Sequence, residues 1–180
     1  MRLMNAMLRL AIFVVVSIPI VGVSWRSLRN PRSHGFYRFF AFEFVLVLIL
    51  LNVPWWFRDP LCARQLVSWL FLLISFLLPV YGFYLLRMIG RPKGGIERTT
   101  ALVTVGIYKY IRHPLYASLL YGACGVFLKD PSLLGGILAL ATSTFAFATA
   151  RVEETEMLLK FGADYTAYMK RTTRFVPFVF

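Results

Sequence analysis

One polar stretch, GIYKYIRHPLYAS at positions 106–118, places Arg112 and His113 directly before Pro114. Proline suits the first turn of a helix and pushes the preceding residue toward extended geometry, so we predict a helix that starts at Pro114, with His113 just outside. The unpaired N–H groups of a helix start favour a carboxylate or phosphate. Arg112 would add a planar cationic donor. The stretch therefore predicts either an anion-binding site or a simple helix start at a membrane surface.

A second stretch, RVEETEM at positions 151–157, concentrates carboxylates in a chain that has only eight acidic residues. Arg151 and Glu154 lie three residues apart and share a helix face, whereas Glu153 points in another direction. The apolar spacing predicts a helix that ends near Gly162. A solvated helix face would explain these charges. The alternative is that Arg151 and one glutamate face the helix start at His113.

The elements that position these residues are predicted to be membrane helices. Of the 180 residues, 59% are hydrophobic, above the 45–50% of ordinary soluble domains. Three apolar runs have the length that spans a bilayer. Two more follow the polar stretch, and their short connection and small residues predict a tight helical hairpin, which makes five spans. The predicted fold is all-α and polytopic, with spans at 8–25, 37–57, 66–86, 114–128 and 132–150.

These spans form one predicted integral membrane domain over residues 1–180. Residues 1–87 hold three N-terminal spans, and residues 88–180 form the region with the polar motifs. The first run also fits a cleaved signal peptide, because arginines precede a short apolar core. Cys62 and Cys124 have no metal-ligand spacing, so neither a metal site nor a disulfide framework is predicted.

The net charge of +12 is spread around the apolar runs, which favours membrane lipids over nucleic acid as partners. With five spans, five of the 20 basic residues lie on the side of the N-terminus and 15 on the other side. The positive-inside rule then places the N-terminus outside the cell and the C-terminus in the cytoplasm. The third loop and the tail would share the cytoplasmic side and can meet there.

Taken together, GIYKYIRHPLY, the short hairpin, RVEE, KFGADYTAY and a closing VP resemble the isoprenylcysteine carboxyl methyltransferases. Those are integral membrane enzymes that use S-adenosyl-L-methionine, and the wider group includes phospholipid N-methyltransferases. The resemblance covers about the last 80 residues, from Thr100 onward. It implies methyl transfer to the carboxylate of a prenylated cysteine or a similar lipid-borne acid that enters from the bilayer.

The resemblance also implies roles for individual residues. Glu153 or Glu154 is expected to reach the cofactor from the tail, and Arg151 is the match to an arginine near the substrate carboxylate. Arg112, Arg151 and Glu154 form the expected catalytic set. The residues expected around the cofactor are Thr100, Ala101, Leu102, Val103, Gly106, Tyr108, His113, Pro114, Leu115, Tyr116 and Glu153.

Three alternatives remain open from the sequence. A phospholipid amine acceptor would need a base, which a glutamate could supply. Sterol reductases have a similar C-terminal region and bind NADPH, but no cysteine follows Arg151 here as their pattern expects. A membrane scaffold without activity would use the same motifs only at the membrane surface.

Overall fold

The computed structural model describes residues 2–91 and 100–178, and only the backbone of residues 2–5. The predicted all-α class is confirmed, because within these ranges the only strand-like pairing is one bridge between Ile111 and Thr173. The helices are α1 (Arg2–Leu28), α2 (His34–Asn52), α3 (Ala63–Met88), α4 (Pro114–Phe127) and α5 (Leu133–Met169), with 3₁₀ turns at Val53–Trp55 and Gly106–Lys109. Lys93 and Arg98, which entered the charge count, lie outside the described residues.

In the part of the chain that the structure describes, four helices are long and apolar enough to cross a membrane, and α4 is a shorter apolar helix. Its 14 residues extend about 21 Å, less than the roughly 30 Å of a hydrocarbon core. Helix α4 nevertheless runs antiparallel to α3, so its start lies near the end of α3 and its end lies near the start of α3. Pro114 packs against Gly82 near one end of α3. At the other end, the Arg64 side chain donates to the carbonyls of Leu128 at 3.2 Å and Lys129 at 2.9 Å.

Small residues bring α3 and α4 close together. Ser68 and Ser75 of α3 donate to the carbonyls of Gly125 at 2.7 Å and Ser118 at 2.8 Å. A Cβ atom at Gly125 would lie 2.9 Å from Leu72 Cγ and 3.1 Å from the Ser68 carbonyl. The small residues predicted to serve the α4–α5 hairpin thus serve the α3–α4 contact as well.

Helix α5 joins the last span and the tail into one element of 37 residues. Gly162, where the sequence predicts a helix end, has the non-helical angles φ 53° and ψ −122° and breaks α5 at a kink. A second helical segment then follows it to Met169. Helix α2 packs along α5, and α1 packs on α2. Between these two helices, the Ser17 hydroxyl of α1 donates to Glu43 of α2 at 2.8 Å.

The chain after α5 returns to the start of α4. The backbone N–H groups of Arg112 and His113 donate to the carbonyls of Thr173 at 2.9 Å and Arg174 at 3.2 Å. Phe175, 3% exposed, then packs into the core beside α4. This return fixes the C-terminal segment against the polar stretch that precedes Pro114.

Candidate active site

All five helices contribute to one cavity of about 690 Å³ near the α4 N-terminus. The end of α3 and the loop after residue 100 form one wall, and α5 forms another. Three arginines, His113 and Glu153 supply its basic and acidic side chains, and four tyrosines add phenol groups. The lining residues are Val23, Arg26, Arg38, Phe42, Pro79, Phe83, Leu86, Ala101, Leu102, Val103, Tyr108, Arg112, His113, Pro114, Leu115, Tyr116, Ser118, Leu119, Glu153, Met157, Phe161, Tyr165 and Tyr168.

The cavity brings together most of the residues predicted to surround a cofactor. Nine of the eleven line it: Ala101, Leu102, Val103, Tyr108, His113, Pro114, Leu115, Tyr116 and Glu153. The remaining two, Thr100 and Gly106, are not among the lining residues. Thr100 instead fastens the loop to the end of α3, since its N–H donates to Gly90 at 2.8 Å and its hydroxyl to Arg91 at 2.9 Å.

Gly106 shapes the turn that brings Tyr108 to the cavity. Its φ of +60° lies in the left-handed region, which favours glycine. An added Cβ atom would lie 2.7 Å from both the Leu85 side chain and the Tyr81 hydroxyl. The turn therefore needs glycine for its backbone conformation and for its close approach to α3.

Tyr108 is buried where this turn meets the cavity. Its carbonyl accepts a hydrogen bond of 2.7 Å from the Tyr168 hydroxyl, which links the turn to the end of α5. Burial raises the pKa of the Tyr108 phenol, and the neighbouring charge of Glu153 adds to the increase. The phenol therefore stays protonated at physiological pH and can act as a hydrogen-bond donor.

His113 occupies the predicted position immediately before α4. Its ring stacks on Tyr116 with centroids 5.6 Å apart, and its Nδ1 atom lies 3.7 Å from Glu153 Oε2. The Glu153 side chain is 26% exposed, whereas that of His113 is 5% exposed. Glu153 is therefore a carboxylate that lines the cavity and remains accessible beside the helix start.

Glu154 faces the protein interior and joins three segments. Its Oε1 atom accepts a hydrogen bond from Arg112 Nε at 2.9 Å, and its Oε2 atom accepts one from Arg174 Nη2 at 2.7 Å. His113 Nε2 lies 3.3 Å from Oε1. The carboxylate, 6% exposed, is thus compensated by two guanidinium groups. This arrangement is typical of a structural ion-pair network.

Arg112 is committed to the same network. Besides Glu154, its guanidinium donates to the Met169 carbonyl at 3.2 Å and to the Thr172 carbonyl. The side chain lies on the cavity wall, but its donors hold the C-terminal segment in place. Arg151, also predicted as catalytic, is exposed on α5 and is not among the lining residues.

Sequence reasoning missed several residues around the cavity. Arg174 was counted only as a tail charge, and no spacing rule links it to Glu154 twenty residues earlier. Arg26 and Arg38 were counted only as first-loop charges. The sequence feature that could have indicated a role is their position, because each lies at the edge of an apolar run. Met157 and Phe161 follow Glu153 at helical spacing, which would place all three on one face.

Apolar side chains from the helices line much of the cavity. Val23 of α1, Phe42 of α2, Phe83 of α3 and Leu119 of α4 line it, all within the bundle of predicted spans. Among the described residues, no group of three or more His, Cys, Asp or Glu side chains is placed to hold a metal ion. The site thus joins a polar end with an accessible carboxylate to an apolar space between membrane helices.

Comparison with known proteins identifies the family of this chain. A family model described as phospholipid methyltransferase matches residues 63–164, more than half of the sequence. The chain belongs to the phospholipid methyltransferase family. The family region contains α3, α4 and most of α5, including Glu153, and it leaves out α1 and α2.

Several curated proteins resemble this member of the phospholipid methyltransferase family. Methanethiol S-methyltransferase 1 of Bradyrhizobium diazoefficiens is 26% identical over 162 residues, which cover 82% of this chain and 55% of that protein. Protein-S-isoprenylcysteine O-methyltransferase of Mus musculus is 35% identical over 83 residues, 45% of this chain and 29% of that protein. The Arabidopsis thaliana protein-S-isoprenylcysteine O-methyltransferase B is 37% identical over 87 residues, 46% of this chain and 43% of that protein.

These relatives confirm the resemblance to isoprenylcysteine methyltransferases that the motifs indicated. The chain spans about half or less of the length of the curated relatives it matches. No solved structure matches the chain significantly. The apolar helices and the family together indicate an integral membrane protein.

Proposed function

We propose that this protein transfers a methyl group from S-adenosyl-L-methionine to the carboxylate of a prenylated cysteine or a similar lipid-borne acid. The observation that carries the proposal is the cavity itself. It joins a polar end with an accessible carboxylate, Glu153, to an apolar end between membrane helices. A soluble cofactor and a lipid-borne acceptor need such a pair of environments next to each other.

The residues at the polar end suit this cofactor. Glu153 would accept hydrogen bonds from the cofactor's ammonium group, and the start of α4 at Pro114 would favour its carboxylate. The protonated Tyr108 phenol supplies a donor, and Phe161, Tyr165 and Tyr168 supply an aromatic wall for the adenine ring. S-adenosyl-L-methionine supplies an electrophilic methyl group, which a carboxylate oxygen accepts without loss of a proton.

The chain's own contribution to such a reaction would be mainly positioning. A carboxylate acceptor needs no general base, so the described site does not have to remove a proton. Holding donor and acceptor in line contributes about 7 to 11 kcal/mol in favourable cases. The ion pairs of Glu154 with Arg112 and Arg174 fit this role, because they fasten the tail to the helix start that carries His113.

A thiol acceptor is the second candidate. The methanethiol S-methyltransferase relative aligns with 82% of this chain, a longer stretch than the isoprenylcysteine methyltransferase relatives cover. A thiol would have to lose its proton before or during transfer, and Glu153 is the accessible carboxylate beside the cavity. The family's description names phospholipid, and a phospholipid amine as acceptor would have the same requirement.

The site is proposed to face the cytoplasm. His113 and Glu153 lie at one end of the bundle, and the loop that contains Cys62 belongs to the other end, together with Arg64 and Lys129. Of the 20 basic residues, 15 are assigned to the side that contains His113. The positive-inside rule therefore favours the cytoplasm for that end.

An acceptor panel tests this proposal. The purified full-length protein would be incubated with methyl-labelled S-adenosyl-L-methionine and one of three acceptors: S-farnesyl-N-acetylcysteine, methanethiol or phosphatidylethanolamine. We expect label in the farnesylated acid, as a product that alkali hydrolyses because it is an ester. Label in the thiol or the amine alone would overturn the carboxylate acceptor, and label in none of them would overturn methyl transfer to these classes.

A further inference from the structure

Two arginines from the N-terminal helices border the cavity. Arg26 belongs to the last turn of α1, and Arg38 belongs to the second turn of α2. Arg38 is only 8% exposed, whereas Arg26 is exposed. Both lie outside the region that matches the family, so neither family membership nor the sequence motifs assign them a role.

Each arginine lies about one helical turn from an apolar residue that also lines the cavity. On α1, Val23 comes three residues before Arg26, and on α2, Phe42 comes four residues after Arg38. Helix α1 ends near the site and α2 starts there, so along the helix axes both apolar residues lie farther from that end of the bundle than their arginines. The two helices therefore present the same order, a cationic group at the membrane edge and an apolar side chain one turn below.

This order fits an amphiphile with a negative charge at one end. Hydrocarbon would contact Val23 and Phe42, and the anionic group would remain at the level of the guanidinium groups. Arginine has five N–H donors, more than a single carboxylate uses, so a contact within the protein leaves capacity for an acceptor anion. Arg112 is less suited to that role, because Glu154 and the C-terminal carbonyls occupy its donors.

Glycine at position 35 helps to bring α1 and α2 together at this level. A Cβ atom there would lie 2.4 Å from Ser27 Oγ and 3.7 Å from Arg38 Nη2. The missing side chain thus lets the end of α1 approach the start of α2 beside the Arg38 guanidinium. This close approach keeps the two arginine-bearing turns next to each other.

We infer that Arg38, assisted by Arg26, binds the carboxylate of the acceptor and makes the site selective for amphiphilic acids. The inference rests on the proposed function and deepens it. It assigns acceptor recognition to α1 and α2, rather than to Arg151, which the resemblance had suggested. It also favours a lipid-borne acid over a small thiol, because the thiol has neither a long hydrocarbon chain nor a carboxylate to match the two parts of the wall.

Binding measurements on the full-length protein in detergent would test the inference. The probes are S-farnesyl-N-acetylcysteine and its methyl ester, which share the chain and differ in charge. Arg38→Gln should weaken binding of the acid by about 10- to 100-fold, the usual loss for a hydrogen bond to a charged group. It should leave binding of the ester and of S-adenosylhomocysteine unchanged. Arg38→Lys should recover part of the affinity, and Arg26→Gln should cause a smaller loss.

Arg32→Gln is the matched control. Arg32 is an exposed arginine in the connection between α1 and α2, and it does not line the cavity. Equal losses for acid and ester, a loss of S-adenosylhomocysteine binding, or no change in Arg38→Gln would overturn the inference. If Arg38→Gln unfolds, the binding of acid and ester to Arg38→Lys and Arg26→Gln tests the inference instead. A loss for the acid alone would support it, and equal losses for acid and ester would overturn it. A wild-type protein that binds the acid through Arg38 but transfers no methyl group would overturn the proposed function and support this inference.

Discussion

Two adjacent glutamates at the end of the last span have different surroundings. Glu154 lies inside, between Arg112 and Arg174, and Glu153 lies on the cavity wall near His113. Adjacent positions on a helix point about 100° apart, so one residue can stabilise the fold while its neighbour contacts a ligand. The roles of these two glutamates can therefore be tested separately.

Replacement of Glu154 by glutamine should destabilise the protein. The two guanidinium groups would lose their shared counter-charge in a largely buried network, and breaking a buried ion pair costs about 3 to 5 kcal/mol. Thermal unfolding in detergent, followed by tryptophan fluorescence, should show a clearly lower midpoint. Asp164→Asn is the control, because Asp164 is exposed on the same helix. Equal midpoints for both variants would contradict the structural role of Glu154.

The residue types of the site were predictable, but their partners were only partly so. The sequence predicted Arg112, His113 and the glutamates as site residues, because these polar side chains lie at the ends of predicted apolar spans. Which glutamate faces inward depends on the rotation of α5, which packing against α2 and α4 determines. The contact of Arg174 with Glu154 depends on the return of the C-terminal segment, which no local pattern in the sequence encodes.

At the scale of the elements, the position of α4 decides where the cavity forms. Serine hydroxyls and glycines join α4 to α3, so the start of α4 comes close to the Gly106 turn. The sequence predicted these apolar segments and the small residues in α4. It did not predict that α3 would be a main partner of those small residues, because small residues suit contacts with any neighbouring helix.

Gly125→Ala should weaken the α3–α4 contact. The added methyl group would lie 3.1 Å from the Ser68 backbone carbonyl, which cannot move aside easily. Overpacking of this kind costs about 1 to 3 kcal/mol. The thermal midpoint should therefore fall. Gly136→Ala is the matched control, because its methyl group would have one neighbour, at 3.7 Å, and alanine favours a helix. An equal or larger loss in Gly136→Ala would argue against the described packing.

The fusion of the last span with the tail was also only partly predictable. Gly162 has the positive φ expected of a helix-terminating glycine and breaks α5 where the sequence predicts, but the sequence did not predict the helical segment that follows it. Tyr165 and Tyr168 are buried, and the Tyr168 hydroxyl donates to Tyr108. These tertiary contacts stabilise the last turns of α5. They could not be predicted from the residues around Gly162 alone.

At the scale of the whole molecule, the charge distribution makes a prediction about topology. The tail should face the cytoplasm, and the loop that contains Cys62 should face the opposite side. Intact cells treated with a membrane-impermeant maleimide should label Cys62, which is exposed. In a variant without native cysteines, Asp164→Cys should be labelled only after the cells are permeabilised. The opposite pattern would place the cavity on the outer side.

The central claim is that the cavity at the start of α4 binds S-adenosyl-L-methionine through Glu153. Binding of labelled S-adenosylhomocysteine to the purified protein tests it most directly. The wild type and Asp164→Asn should bind at micromolar concentrations and should not bind NADPH. Glu153→Gln should bind about 10-fold or more weakly while its thermal midpoint stays near that of the wild type. Unchanged binding by Glu153→Gln, or a preference of the wild type for NADPH, would contradict the claim.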